Sequence, residues 1–210
     1  MTRTRLVIPL LLIAVACGDD ASSGPGTGLI DTFDGVTAIE TTYPTDATLD
    51  LEEVGVGRFT ATAFPTSTMY LAQYPTRFTL FEGDITLEFR LGEIAPTAVA
   101  VTFWKSTDFS RYAQASVSFL HGRAFIGWYD EDAEYQEVEF ALPAGFDAAG
   151  SHSLVVQLAP GRATLEVDGT VLGGADVTLQ GRDGELAWGM LPNGVGSELI
   201  VEEFRAVPEG

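Results

Sequence analysis

The sequence predicts an all-β fold in which antiparallel strands form a sandwich, and three observations predict it. Apolar and polar residues alternate with period two through most of the chain after Asp84, as strands covered on one face require. Turns bearing glycine or proline separate these runs at short intervals. No segment of comparable length carries the continuous apolar stripe of an amphipathic helix; Thr107 to Gln114 comes nearest and lacks it.

The elements follow in order. Short strands are expected near Leu29 to Phe33, Arg58 to Phe64 and Met69 to Gln73, because Pro44, Pro65 and Pro75 confine pairing there to edges and short pieces. In Ile85 to Leu91 every odd position is apolar and every even one polar. Val99, Val101 and Phe103 repeat that phase, Val117 and Phe119 continue it, and Ala124 to Tyr129 follows. Leu154 to Leu158, Ala163 to Val167, Glu185 to Met190 and Leu199 to Val207 complete the series. His121-Gly122-Arg123 marks a glycine hairpin, and Pro160-Gly161 suits the central positions of a type II turn. Asp168-Gly169 reads as a two-residue hairpin, since both residue types tolerate positive φ. Asn193-Gly194 turns the chain into its last strand.

The amino terminus obeys different rules. Arg3 and Arg5 precede an apolar run, Leu6 to Ala16, which ends at the single cysteine, Cys17. A positive start, a short apolar stretch and small residues before a cut site describe an export signal. A spanning helix needs about 20 apolar residues, and this run is shorter and contains Pro9. The tetrad Ala14-Val15-Ala16-Cys17 resembles the lipobox of bacterial lipoproteins, although alanine stands at its first position, where leucine is more usual. That resemblance implies removal of residues 1–16 and acylation of Cys17, with palmitate or a similar chain, as a membrane anchor. Residues 17–28 are small and polar and suit a flexible tether. Gly18, rather than an aspartate, after the cysteine points to the outer membrane by the same resemblance. An uncleaved transmembrane helix, a non-lipidated secretory signal and a merely buried cysteine are the competing readings.

About 180 residues remain for the body, enough for one domain, 29–210, with a sizeable core. Thirteen phenylalanines argue against disorder. The net charge of −19 becomes −21 once the signal and its two arginines are removed. A surface of that sign repels phosphate backbones and excludes nucleic acid as a partner. It favours cations and basic partners, and it also keeps a protein soluble and its strand edges guarded. With one cysteine no internal disulfide can form, and two histidines cannot build a typical zinc site.

Several local patterns coincide after Gly150. Asp31-Thr32-Phe33-Asp34-Gly35 opens the body, Ser151 to Leu158 and Ala163 to Gly169 form a strand pair ending in Val167-Asp168-Gly169, and Leu199 to Arg205 closes it. Together they resemble concanavalin A-like (laminin G-like) lectin and glucanase domains over roughly Leu29 to Val207. The resemblance implies a jelly-roll sandwich of two antiparallel sheets, one of them curved, with the last strand paired to the first. It also implies carbohydrate binding on the concave face or rim loops. Lectin-like members often hold a structural calcium where first and last strands meet, which implies Asp34 with Glu202 or Glu203 as ligands. Glucanase members carry a strand bearing spaced acids, and no segment here matches it.

Glycosidases need two carboxyl groups at a set separation. Glu137 and Glu139 share a strand face, as do Glu166 and Asp168, but thirty acids in one chain make such pairs unavoidable. Asp130-Glu131-Asp132-Ala133-Glu134 offers oxygen ligands for calcium yet lacks the glycine and distal glutamate of an EF-hand. His152, just ahead of a core strand, reads as structural. Sugar rings stack on flat aromatic faces. Trp104 falls on the opposite phase from Val99, Val101 and Phe103 and is therefore expected outside the core. Tyr112, Trp128, Tyr129 and Tyr135 lie in or beside neighbouring loops, and one of Trp128 and Tyr129 must point inward if their strand is regular. The expected ligand-binding residues are Trp104, Tyr112, Trp128 and Tyr129. The chain thus reads as an envelope lipoprotein that binds carbohydrate without catalysis, with a polysaccharide hydrolase or a structural adhesion role as alternatives.

Overall fold

The computed structural model describes residues 26–43, 46–63, 69–106, 111–178 and 184–209. Cys17 and the signal segment lie outside them. Among the described residues every regular element is a strand. In chain order these are β1 (Gly26–Thr27), β2 (Leu29–Asp31), β3 (Thr41–Tyr43), β4 (Ala47–Asp50), β5 (Gly57–Ala61) and β6 (Tyr70–Gln73). Then come β7 (Thr79–Leu80), β8 (Gly83–Leu91), β9 (Ala98–Lys105), β10 (Ala113–Ser118), β11 (Arg123–Tyr129) and β12 (Tyr135–Ala141). The last five are β13 (Ser151–Ala159), β14 (Arg162–Val167), β15 (Thr170–Asp176), β16 (Glu185–Leu191) and β17 (Glu198–Pro208).

They form two antiparallel sheets. The nine-stranded sheet runs β1-β7-β16-β9-β10-β11-β12, with β6 beside β16 and β3 beside β6. The eight-stranded sheet runs β15-β14-β13-β8-β17-β5-β4, with β2 beside β17. Alternation does the packing: in β8 Ile85, Leu87 and Phe89 point inward, in β13 Leu154, Val156 and Leu158, and in β9 Val99, Val101 and Phe103, all essentially buried. Trp188 anchors the centre, with Phe33 and Phe59 meeting its ring edge-on at 6.0 Å and 5.5 Å. A buried aromatic of this size contributes about 2–3 kcal/mol through apolar burial.

The turns match their residues. Val167 pairs with Thr170 across Asp168 (φ 50°) and Gly169 (φ 75°), the two-residue hairpin the sequence predicts. The last strand pairs with the first of the eight-stranded sheet, Phe204 opposite Asp31. Here Asp31 is buried and organises the chain that follows. Its carboxylate accepts from Thr37 Oγ1 (2.5 Å), Phe33 N (3.2 Å), Ala38 N (3.2 Å) and the Tyr74 hydroxyl (3.3 Å). Trp188 Nε1 in turn donates to the Tyr74 oxygen at 3.2 Å, so one polar chain links the two sheets. Burial, with Asp31 close by, holds the Tyr74 phenol well above the ordinary tyrosine range.

Two expectations are corrected. Gly26 and Thr27, assigned to the flexible tether, pair with Leu80 and Thr79. Trp104 does not leave the core: it is fully buried, beside Phe103 at 5.4 Å, and its indole N–H donates to Phe81 O at 3.2 Å. The phase breaks because Trp104 adopts φ 50° and the β16–β9 ladder carries a bulge between Glu185 and Ala187, so two consecutive residues turn inward. Strand β9 is also buried on its other face, where its residues are small: Ala98, Ala100 and Thr102.

Candidate functional site on the outer face of the nine-stranded sheet

Ladder registers decide which side chains share the face turned away from the core. One cross-strand row runs Leu71, Gly189, Ala100, Ser116, Phe125, Glu139. The next runs Gln73, Ala187, Thr102, Gln114, Gly127, Glu137. The middle of this face, on β16, β9 and β10, is therefore small and uncharged. Large and charged groups collect at the β11–β12 edge.

Tyr129 of β11 is paired with Tyr135 of β12, their rings 5.4 Å apart and steeply inclined, and Tyr112 packs against Tyr129 at 5.2 Å. Burial, with neighbouring phenols, holds Tyr112 above the ordinary tyrosine value. Burial, with Glu137 close by, pushes Tyr135 up to about 12. The Tyr135 side chain leans across β11. Its hydroxyl donates to Glu137 Oε2 (3.2 Å) and accepts from Gln114 Nε2 (3.1 Å), so it reaches from β12 to β10. Only glycine permits this crossing, because a Cβ on Gly127 would lie 2.1 Å from the hydroxyl oxygen. Arg123 pairs with Glu137 (3.6 Å) and with Glu139, and its guanidinium lies 5.9 Å from the Phe125 ring.

The acidic loop between β11 and β12 is built by one of its own carboxylates. Asp130 accepts from the backbone of Asp132 (3.0 Å) and Glu134 (2.9 Å) and from Gln136 Nε2 (2.7 Å), and Ala133 takes φ 61°. Those hydrogen bonds, led by the Glu134 amide, hold the Asp130 carboxyl below its ordinary value. The loop fixes the spacing at which Tyr129 and Tyr135 meet.

Of the sequence-predicted ligand residues, Tyr112 and Tyr129 are brought together on this face. Trp128 is not: it pairs with Ala113 and Gln136 on the inward face and packs against the core. Trp104 is sealed in the interior, as above. Sequence reasoning missed Gln114, Arg123 and Gly127; a glycine inside an otherwise apolar strand was the one available signal, marking close approach of a neighbour.

The three acids expected around calcium take separate partners. Asp34 accepts from Thr32 Oγ1 (2.8 Å), Glu202 pairs with Arg90 (3.3 Å) and Glu203 with Arg205 (2.9 Å). Among the described residues no group of three or more His, Cys, Asp or Glu is placed to hold a metal ion. His152 is structural, as expected: its Nδ1 lies 2.9 Å from Asp168 Oδ2 and its ring stacks on Phe146 at 4.4 Å. Asp168 is thereby committed to its hairpin rather than to Glu166.

No protein-family model and no curated protein sequence matches the chain. Solved structures do. The Bacillus licheniformis β-glucanase is similar with a TM-score of 0.63 at 14% identity, covering 88% of this chain and 99% of that one. A lichenase derived from a mouse hindgut metagenome has a TM-score of 0.63 at 14% identity, covering 87% and 100%. A carbohydrate-binding module from Bacillus subtilis has a TM-score of 0.57 at 12% identity, covering 78% and 92%. Likeness at this level of identity carries the fold alone, and that fold is the concanavalin A-like jelly roll.

Proposed function

We propose that this chain is a lipid-anchored envelope protein whose jelly roll binds carbohydrate without cleaving it. The observation that carries the reading is the tyrosine cluster Tyr112-Tyr129-Tyr135 with its attached hydrogen-bonding groups, standing on the outer face of the nine-stranded sheet. Aromatic faces stack on the C–H side of sugar rings while amides and carboxylates take the hydroxyls. Fold neighbours that include a β-glucanase and a carbohydrate-binding module support the ligand class.

Binding is favoured over hydrolysis by where the carboxylates sit. Outward positions in the middle of the sheet are Ala187 and Gly189 on β16, Ala98, Ala100 and Thr102 on β9, and Gln114, Ser116 and Ser118 on β10. Glu185, at the start of β16, is buried against Lys105 at 2.5 Å. Glu137 and Glu139 stand on the edge strand, and both are committed to Arg123. Affinity electrophoresis of the full chain through gels loaded with soluble polysaccharides tests the proposal. Retardation by at least one polysaccharide is expected, weakened about tenfold by Tyr129→Ala, a loss of about 1.4 kcal/mol of stacking. Failure of every polysaccharide to retard the chain, or release of reducing ends from one, overturns it.

A further inference from the structure

Resting on the carbohydrate reading, we infer that the tyrosine site is built for a sugar that carries a positive charge, a glycan with free amines rather than a neutral or acidic one. Tyr135 is the exposed member, 42% accessible, yet it is not loose. Its ring is seated over Gly127 and its hydroxyl is held at both sides, by Gln114 and Glu137, so little side-chain freedom remains to be lost on binding. With Tyr129 and Tyr112 it offers inclined π-faces whose negative centres attract an ammonium group.

The segment that carries these rings has an excess of the same sign of charge. Between positions 111 and 139 the chain places six carboxylates, Asp130, Glu131, Asp132, Glu134, Glu137 and Glu139, against two arginines. Arg123 pairs with Glu137 and Glu139, and Arg111 lies close enough to Asp130 to act on its carboxyl. A uronate or sulfate ester would meet this excess of negative charge; an ammonium would be drawn to it from either ring.

One backbone with its charge switched on or off supplies the test: the full chain is titrated with oligomers of β-1,4-linked N-acetylglucosamine and with the same oligomers deacetylated. The deacetylated oligomer is expected to bind about tenfold more tightly at a pH where its amines are protonated, the sum of one cation–π contact and one exposed ion pair. The preference is expected to disappear when the amines are deprotonated or when salt is raised to about 1 M, where screening is nearly complete. Glu137→Gln with Glu139→Gln is expected to reduce it severalfold, and Tyr135→Phe, which keeps the ring, to preserve more of it than Tyr135→Ala. If the double variant does not fold, the salt and pH dependence of the unaltered chain decides alone. Equal affinity for both oligomers, or preference for the acetylated one or a neutral polysaccharide, overturns the inference and leaves carbohydrate binding standing. Silence toward all of them removes both.

Discussion

Gly127 governs the site although it has no side chain. Its missing Cβ is the space in which the Tyr135 hydroxyl lies, and that hydroxyl couples Gln114 on β10 to Glu137 on β12. Gly127→Ala is therefore expected to displace the exposed Tyr135 ring outward at little cost in stability and to weaken glycan retardation. Thermal denaturation and the affinity gel together check it, and an unchanged gel contradicts it. Little of this was legible beforehand. Tyr112 and Tyr129 could be named because tyrosines beside loops are ordinary sugar-contact candidates. Gln114 could not, because its partner is two strands away and no local spacing encodes that distance. Trp104 failed for a different reason: period-two counting assumes a regular ladder, and a left-handed residue opposite a bulge resets the count without leaving a mark in composition.

At the level of elements the long strands after Asp84 were readable, since each hides one face and polar residues cover the other. The Asp168-Gly169 hairpin was readable too, because a turn with two positive φ angles selects its residues chemically. Gly169→Val is expected to destabilise by about 1–2 kcal/mol, since a β-branched residue at φ 75° meets its own backbone. A urea midpoint that stays put would show the turn relaxing to another type. The segment before Tyr74 was harder. Strands β3 and β4 hold three and four residues, mostly at exposed or half-buried positions, so neither periodicity nor apolar content distinguishes them from loop. Strand β12 was recognised only as a face shared by two glutamates, because an edge strand with alternating half-exposed residues looks polar throughout.

For the whole molecule, the sandwich was predictable from turn spacing and alternation, whereas the face that carries the candidate site was not, because both outer faces carry polar residues. The distribution of charge offers the better guide: small neutral residues in the middle of one sheet, with carboxylates gathered at its edge. Anchoring belongs to this scale as well. Metabolic labelling with a palmitate analogue is expected to mark the chain and to lose all label in Cys17→Ser; label that survives the substitution ends the lipoprotein reading.

The way the chain enters the sandwich has a mechanical consequence. Gly28 stands between β1, which belongs to one sheet, and β2, which belongs to the other, and a Cβ there would lie 2.3 Å from Ala206 O. Tension on the amino terminus therefore loads a two-residue pairing and then a three-residue one before it reaches any long strand. Peeling Gly26 to Ile30 would release about 17 Å of slack. It would halt at Asp31 and Phe33, whose buried carboxylate and ring are clamped by both layers. The head of the fold is thus a short extensible leash with a built-in stop, and drag on a bound polymer would lengthen the leash before it opened the sandwich.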